Sequence, residues 1–422
     1  MTTVPEAVWS MDVAVADMID AGAFGPGSEI MSIEPDSRYT GQDQYATTVY
    51  FSTVTIRDRG GNHHSHHVVF KIKKRSPGIE NLIRAYSQFH NEILFYERIM
   101  PFFRTCALTH HVPTLSRYIY GRNNYDTNFA FKDMVVLENA CLRGYVLSEQ
   151  RLHLNLEHTI VALKTLAKFH SLSYRAKHKD PERFAKIIAD VQETHLRNDG
   201  DWFMCGGGHS VSKLLSAALN RLAQRRGVDD DDSRTCHFRE KFMNDMNGTL
   251  NRVMKPHEPL AILCHGDFNR NNLLFRYDDD GRPVDALPFD LATVRYGSPA
   301  LDLSFFLYMN TDRRIRDERW DELLDTYCAS LAAAVSDVAD VVRVPDRSQL
   351  DAEMREYGVY GLVHVSFFVR VMMEEHADIS EFSEADKDKT VQTFLSYGGD
   401  KATDVIADAL QHFLDTFCNR VE

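Results

Sequence analysis

The residues with the clearest capacity for chemistry lie in a short polar segment, 265–272, which apolar residues flank on both sides. Asp267 and Asn272 are five residues apart in this segment, and Asp290 follows 18 residues after Asn272. A loop of that length can turn back so that both side chains face one place, with Asp290 arriving from the next hairpin. Phosphoryl transfer needs a carboxylate that orients the acceptor hydroxyl and oxygen ligands that hold Mg²⁺ against phosphates. The three residues supply that set.

A lysine and a glutamate upstream form a second candidate group. In a helix, Glu92 lies on an otherwise apolar line with Phe89 and Tyr96, where an unpaired carboxylate is costly. Lys71, inside an apolar strand, needs an anion for the same reason, so we expect the two to pair. Lys73 has the same strand parity and is the alternative partner. Lys71 is favoured because apolar residues flank it on both sides.

The elements before this site predict a small lobe that is rich in strands. Residues 47–73 are rich in Thr, Val, Tyr, Phe and Ile and are split by a turn at 58–61, which predicts a hairpin. Apolar residues recur at steps of four and three over 79–103, which predicts a helix that ends at Pro101. A third apolar run, 129–137, predicts a further strand.

The elements after it predict a larger and mainly helical lobe. Residues 259–288 are typical of strand, loop, strand, turn and strand, and a mainly helical pattern follows Ser298 and Pro299. We therefore expect an α+β fold with two lobes. The expected division is an N-terminal lobe at 1–137, a linker at 138–145 and a C-terminal lobe at 146–422.

Composition excludes several classes of protein. The chain has 422 residues, 44% of them hydrophobic and 26% charged, which is the balance of a globular protein with a sizeable core. Its net charge of −13 argues against nucleic acid as a partner. Seven widely spaced cysteines without a C-x-x-C pair are expected to be reduced. The most apolar stretch, 359–373, contains His364 and Arg370, so we expect no membrane span and a cytoplasmic protein.

The polar segment also resembles a known family pattern. H-G-D-x-x-x-x-N followed by a strand-borne Asp is similar to the motif of aminoglycoside phosphotransferases and choline kinases, which share the protein-kinase-like fold. More closely, residues 263–307 resemble the ecdysteroid kinase-like (CHK kinase-like) family. The resemblance extends over roughly 41–309 and includes four shorter segments, 41–46, 69–72, 92–96 and 137–145.

The resemblance implies an ATP- and Mg²⁺-dependent kinase that phosphorylates a hydroxyl. It implies that Asp267 is the catalytic base, Asn272 and Asp290 are metal ligands, Lys71 contacts the α- and β-phosphates, and Glu92 orients Lys71. The other nucleotide contacts that it implies come from Glu138, Asn139 and Ala140 at the adenine and from the loop of Gln42, Asp43, Gln44, Tyr45 and Ala46 over the phosphates.

The sequence departs from the family pattern at two places. Leu291 and Ala292 follow Asp290 where the family usually has Phe-Gln, and Gly41 stands alone where other kinases have a G-x-G-x-x-G loop. The first departure leaves the metal ligands intact but puts the shape of the adjoining turn in question.

The substrate that the resemblance implies is a small, lipophilic alcohol, either an ecdysteroid-like steroid or a xenobiotic. The C-terminal third is rich in aromatic residues and Met, which suits an apolar ligand, although any helical core has the same pattern. One alternative is a choline- or aminoglycoside-type kinase, whose cationic substrates suit an acidic chain. The other is a catalytically silent nucleotide-binding scaffold, against which the retention of Lys71, Asp267, Asn272 and Asp290 argues. The oligomeric state stays open.

Several other polar residues have a structural and a functional interpretation. His265 is expected to brace the loop through hydrogen bonds more than to act as a base. Asp302 either accepts hydrogen bonds from the loop backbone or is a solvated helix carboxylate. His170 is expected to be a satisfied core histidine, and the histidines of 63–67 are expected to lie in a solvated turn.

Overall fold

The structure is a computed structural model that describes eight segments of the chain. They are residues 15–38, 47–73, 84–123, 133–197, 199–202, 207–227, 232–375 and 386–418.

The N-terminal lobe is built on a five-stranded antiparallel sheet with the strand order β1-β2-β3-β5-β4. Alternate apolar residues, among them Val54, Ile56, Val68 and Phe70, bury one face of it, as the period of two in a strand requires. The five strands are β1 (Glu29–Pro35), β2 (Thr47–Arg57), β3 (His63–Lys73), β4 (Tyr118–Arg122) and β5 (Met134–Glu138).

The expected hairpin is confirmed, but its histidines are not in the turn. Residues 63–67 begin β3 and pair with the end of β2. His64 lies 2.9 Å from a carboxylate oxygen of Asp58, and His67 Nδ1 lies 3.0 Å from Thr53 Oγ1. The turn is therefore shorter than expected, because residues 63–67 pair with β2, while His64 bonds Asp58 of the turn and His67 bonds Thr53 of β2.

The main helix of this lobe continues past the proline that was expected to end it. An α-helix at Ala85–Leu94 passes into a π-helical turn at Phe95–Ile99 and then into a second α-helix at Met100–Cys106. Pro101 lies in the first turn of the second helix. Proline is tolerated at the start of a helical segment because its ring holds φ close to the helical value.

A short 3₁₀ turn at Ala140–Arg143 leads from β5 into the C-terminal lobe. Two small antiparallel sheets carry the polar loops of this lobe: β10 (Arg295–Gly297) pairs with β7 (Ile262–Cys264), and β8 (Leu273–Tyr277) lies between β6 (Val146–Leu147) and β9 (Pro283–Pro288). The helices are Leu156–Lys179, Pro181–Ala189, Gly207–Arg226, Ser233–Phe238, Met246–Val253, Pro299–Asn310, Arg313–Ala334, Arg347–Tyr357, Val359–Met373, Lys387–Ser396 and Gly399–Phe417.

One hydrophobic cluster joins the two lobes. It contains Phe89 and Phe95 of the N-terminal helix, Phe169 of the helix Leu156–Lys179, and Leu263 and Leu291 beside the polar loops. The rings of Phe95 and Phe169 stack with their centroids 5.9 Å apart. The helix that carries Glu92 is therefore fixed by packing against the larger lobe.

The α+β architecture with a small sheet lobe and a larger helical lobe is the one that the sequence predicts. No helix in the described segments is long and apolar enough to cross a lipid bilayer.

Candidate active site

The cleft between the lobes contains a buried lysine between two carboxylates. Lys71 Nζ lies 2.6 Å from Glu92 Oε2 and 2.8 Å from Asp290 Oδ1. Lys71 is 8% exposed and Glu92 is 2% exposed, whereas the Asp290 side chain is 37% exposed. The structure thus joins a residue of β3, one of the N-terminal helix and one of the C-terminal lobe through a single ammonium.

The positions of the three residues follow from their elements. Lys71 lies in a central strand opposite Val49 and Val135, and its apolar neighbours Phe70 and Ile72 point to the other face. Asp290 lies two residues after the end of β9 in the left-handed conformation, with φ 63° and ψ 62°, which is uncommon for a residue with a Cβ. Such backbone strain is often stored at functional sites.

Charge and burial oppose each other in this group. Burial alone would lower the pKa of Lys71, but the charges of Asp290 and Glu92 outweigh it and hold that pKa above its usual value. Burial raises the pKa of Asp290 less than the neighbouring ammonium lowers it, so its net shift is downward. Burial and the charge of Asp290 raise the pKa of Glu92 to about 7, against the opposing effect of Lys71.

Lys73, the alternative to Lys71, has other partners. Its Nζ lies 3.3 Å from Asp133 Oδ2 and 3.0 Å from the centre of the Tyr86 ring. Both ionic side chains of that pair are fully buried. Lys73 therefore neutralises a different carboxylate, at the end of β3 away from Asp290.

The loop between β7 and β8 holds Asp267 through two asparagines. Asp267 Oδ1 accepts a hydrogen bond of 2.6 Å from Asn269 Nδ2, and Oδ2 accepts one of 2.7 Å from Asn272 Nδ2. Asn272 Nδ2 also donates to the carbonyl of Asp267 at 2.9 Å. Both of its partners are acceptors, so the amide nitrogen must face Asp267, which leaves Asn272 Oδ1 as a potential ligand.

Asp302 anchors the start of this loop from the following helix. Its carboxylate is fully buried and accepts hydrogen bonds from the amides of His265, at 2.6 Å, and Gly266, at 2.9 Å. His170 Nε2 donates to it as well, at 3.0 Å. Although burial raises the pKa of Asp302, the hydrogen bond and charge of His170 lower it below its usual value. The loop-bracing interpretation of Asp302 is the correct one.

Gly266 is required by the close approach of two loops. Its φ of +84° favours glycine, and a Cβ at this position would lie 1.9 Å from the carbonyl oxygen of Thr293. The loop that contains Asp267 therefore passes directly against the turn that follows Asp290.

Two further contacts fix the loops to each other. His265 Nε2 donates to the carbonyl of Phe289 at 3.0 Å, and the amide of Phe289 donates to the carbonyl of Asn272 at 3.0 Å. The bracing role expected for His265 is confirmed. His170 is also a satisfied core histidine, since its second ring nitrogen lies 2.8 Å from the Tyr327 hydroxyl.

The charge of Asp290 affects the ionisation of Asp267. Burial, followed by the charge of Asp290, raises the pKa of Asp267 to about 7. A divalent cation would relieve this repulsion between carboxylates. The oxygens that could bind one are Asn272 Oδ1 and the Asp290 oxygen that does not contact Lys71. Carboxylate and amide oxygens are suitable Mg²⁺ ligands, so the donor set fits the implied metal.

Some of the backbone groups expected to bind adenine already form hydrogen bonds within the protein. The amide of Glu138 donates to the carbonyl of Arg117 at 2.8 Å, and that of Asn139 donates to the carbonyl of His67 at 2.9 Å. Asn139 Oδ1 accepts from the amide of Cys141 at 3.1 Å. Two of the three backbone amides proposed for the adenine are therefore already used within the protein.

The loop expected over the phosphates lies outside the described residues. It consists of Gln42, Asp43, Gln44, Tyr45 and Ala46.

Sequence reasoning missed two residues of this region. Asn269 is part of the motif but occupies one of its variable positions, so the motif gave no reason to select it. Asn91, next to Glu92, is fully buried and contacts the turn after Asp290. The sequence gives no signal for Asn91, because it stands between His90 and Glu92 in the largely polar run 87–92.

The aromatic residues of the C-terminal third, whose number suited an apolar ligand, pack mostly into the core of the larger lobe. Phe305, Phe306, Tyr308 and Phe367 are at most 1% exposed. Only Phe368 and the two adjacent methionines, Met372 and Met373, are partly exposed. The aromatic pattern is therefore mainly one of helix packing.

With this geometry established, the chain can be compared with known families. The model of the ecdysteroid kinase-like family matches residues 41–339, so the chain belongs to that family. The family has the protein-kinase-like fold, which confirms the predicted fold class, and its members are generally kinases. No curated protein matches the chain by sequence.

Proposed function

We propose that the protein is a small-molecule kinase that transfers the γ-phosphate of ATP to a hydroxyl group. The observation that carries the proposal is the contact of one buried ammonium, Lys71, with both Glu92 and Asp290, close to a loop in which two asparagines hold Asp267. On this proposal, 1–137 is the nucleotide-binding lobe, 138–145 is the linker, and 146–422 carries the catalytic loop and the substrate site.

Lys71 would hold the nucleotide phosphates. An ammonium has three donors, and Glu92 and Asp290 use two of them among the described residues. The third is available to a phosphate oxygen. Glu92 would fix the direction of the ammonium, because its carboxylate is buried and cannot turn toward water.

Mg²⁺ would be held by Asn272 and Asp290, and when bound it would neutralise the phosphate charge. Lys71 already occupies one oxygen of Asp290, which orients the other oxygen. Similarly, the hydrogen bond that Asn272 Nδ2 donates to Asp267 Oδ2 orients the free oxygen of the Asn272 side chain, Oδ1. These contacts organise the site before the nucleotide binds, which is the main contribution that a protein makes to phosphoryl transfer.

Asp267 would orient the acceptor hydroxyl and accept its proton. Its raised pKa, about 7, makes the ionised carboxylate a stronger base at neutral pH than an ordinary aspartate. Asn269 and Asn272 keep the carboxylate in one rotamer. The hydrogen bonds that the amides of His265 and Gly266 donate to Asp302 hold the start of this loop in place.

Hydrogen bonds already present in the linker limit which of its backbone groups are proposed to bind the adenine base. Because the amides of Glu138 and Asn139 are already used, the backbone amide of Ala140 is the group proposed to donate to the base. The carbonyls of Asn139 and Ala140 already accept from the amides of Leu142 and Tyr145, at 3.4 Å each, so a second lone pair of these carbonyls is proposed to accept from the base. The loop of residues 42–46 is proposed to cover the phosphates.

The proposed substrate is a small lipophilic alcohol, such as an ecdysteroid-like steroid or a xenobiotic. Its support is membership of the ecdysteroid kinase-like family. A choline- or aminoglycoside-type substrate is the alternative that a substrate panel must separate from it.

The test is Mg²⁺-dependent ATP consumption by the purified protein with ecdysteroids, sterols, xenobiotic alcohols, choline and aminoglycosides, with product identification by mass. We expect a product that is heavier by one phosphoryl group and that Asp267→Asn abolishes. Glu157→Gln, an exposed substitution in the first turn of the helix Leu156–Lys179 and 13 residues before His170, is the control and is expected to keep full turnover. If the wild type binds Mg²⁺-ATP but phosphorylates no acceptor, the silent-scaffold interpretation replaces the proposal.

A further inference from the structure

Asn91 uses its whole side-chain amide to bind backbone. It is fully buried, and its Nδ2 donates to the carbonyls of Gln192, at 2.9 Å, and Ala292, at 3.3 Å. Its Oδ1 accepts from the amide of Gln192 at 2.8 Å. A side-chain amide has two N–H donors and one carbonyl, so all of these groups have a partner.

The three hydrogen bonds connect two parts of the proposed catalytic site. Asn91 immediately precedes Glu92 in the N-terminal helix, and Ala292 is two residues after Asp290. The amide of Ala292 is near enough to the Asp290 carboxylate to help lower the pKa of Asp290. The turn after Asp290 is thus tied to the Glu92 helix at the carbonyl of Ala292.

The other partner, Gln192, belongs to a segment that contacts both lobes. In this segment, 190–195, the carbonyl of Asp190 lies 2.9 Å from His90 Nε2 of the same helix. On its other side, Glu193 forms an ion pair of 3.3 Å with Arg295 of β10, the strand that follows the Asp290 turn. Asn91 therefore joins the helix to two separate parts of the C-terminal lobe.

We propose that Asn91 is a positioning residue for phosphoryl transfer, which sets the Glu92 helix against the Asp290 turn and so fixes Lys71 between its two carboxylates. The proposal rests on the proposed kinase function and assigns no contact with ATP to Asn91. Because the contact is made with the backbone of residue 292, it does not depend on the side chain there. It therefore gives a reason why an alanine suffices at this place in the turn.

The most specific perturbation is Asn91→Asp. Aspartate has the same shape and can still accept from the amide of Gln192, but it places an oxygen against the carbonyls of Gln192 and Ala292. Asn91→Ala removes all three hydrogen bonds and is the second variant. Arg98→Ala is the matched control, since Arg98 pairs with Asp190 of the same segment at 2.5 Å but is exposed.

Two measurements test the proposal. Hydrogen exchange of the backbone amides at 291–295, in protein without nucleotide, measures directly how stably the turn is held. Steady-state kinetics with varied Mg²⁺-ATP measures the effect of each substitution on phosphoryl transfer. For Asn91→Asp and Asn91→Ala we expect exchange at 291–295 to accelerate at least tenfold and kcat to fall at least tenfold. Arg98→Ala is expected to change both by less than twofold.

A merely structural role for Asn91 would give a different result. It would lower the melting temperature and accelerate exchange throughout the helix and the turn, with kcat unchanged per folded molecule. That result, or unchanged exchange at 291–295 in Asn91→Asp, would overturn the positioning role. Absence of turnover in the wild type would overturn the kinase function instead, and the exchange experiment distinguishes the two because it needs neither nucleotide nor acceptor.

Discussion

Replacing Lys71 by methionine should reveal how much the buried ion pair contributes to stability. Methionine keeps most of the length and apolar contact of the lysine stem but removes the ammonium. Glu92, which is 2% exposed, then has a buried carboxylate without a cation. Its Oε1 has no hydrogen-bond partner among the described residues even in the wild type, so no neighbouring group compensates.

The magnitude follows from the burial of the two carboxylates. Breaking a buried pair by removing one partner costs about 3–5 kcal/mol, and the pair with Glu92 falls in that range. The pair with Asp290 adds at most about 1 kcal/mol, because the Asp290 side chain is 37% exposed and water screens it. We therefore expect Lys71→Met to lower the free energy of unfolding by about 3–6 kcal/mol at pH 8.

Urea unfolding of three proteins at two pH values measures this effect. The double variant Lys71→Met/Glu92→Gln contains no buried charge, so it should recover about 1–3 kcal/mol of the loss. In Lys71→Met alone, the pKa of Glu92 should rise further above its unfolded value. The folded state then binds more protons than the unfolded state, so the loss should be smaller at pH 5.5 than at pH 8.

The double variant is the decisive comparison. If it is no more stable than Lys71→Met, the destabilisation does not come from an uncompensated Glu92 carboxylate, and the reasoning is refuted. Equal losses at both pH values would contradict it as well.

Three other substitutions test the loops of the site. Gly266→Ala should lower the free energy of unfolding by more than about 3 kcal/mol and abolish turnover, because the alanine Cβ would collide with the carbonyl of Thr293. Thermal unfolding and ATP consumption measure the two effects, and near-wild-type values would contradict the prediction. Asp302→Asn should lower the free energy of unfolding by about 2–4 kcal/mol and reduce kcat at least tenfold, because an amide N–H would face either a backbone donor or the His170 donor. Denaturant unfolding and steady-state kinetics measure the two effects, and retained stability and activity would exclude the bracing role. The folded-state pKa of Asp267 is raised to about 7 from the ordinary value of 3.8. The stability of the wild type relative to Asp267→Asn should therefore decrease as the pH rises from about 4 to 7, by about 1–3 kcal/mol because the side chain is partly exposed. A pH-independent difference in unfolding free energy between the two proteins would show that this pKa is not raised.

The parts of the site that the sequence predicts are those set by local pattern. Apolar residues on both sides favour Lys71 over Lys73, which has the same strand parity, and the apolar helix line around Glu92 indicates a buried acid that needs a cation. The distance of five residues between Asp267 and Asn272 is short enough for one loop to bring them together. In each case the physical cause acts within a few residues along the chain.

The remaining features depend on contacts between distant segments. Asn91 meets a backbone carbonyl 201 residues later, and no pattern around either position encodes that distance. The role of Asp302 was undecided for the same reason, because its partners lie in a loop 36 and 37 residues earlier. Pro101 was taken to end its helix because the π-helical turn before it has no sequence signature of comparable strength.

A crystal structure with Mg²⁺ and a non-hydrolysable ATP analogue tests the central claim most directly. We expect a metal ion about 2.0–2.1 Å from oxygens of both Asn272 and Asp290, with Lys71 Nζ in contact with a phosphate oxygen. A nucleotide bound elsewhere, or bound between the lobes with its metal away from both Asn272 and Asp290, would contradict the proposed site.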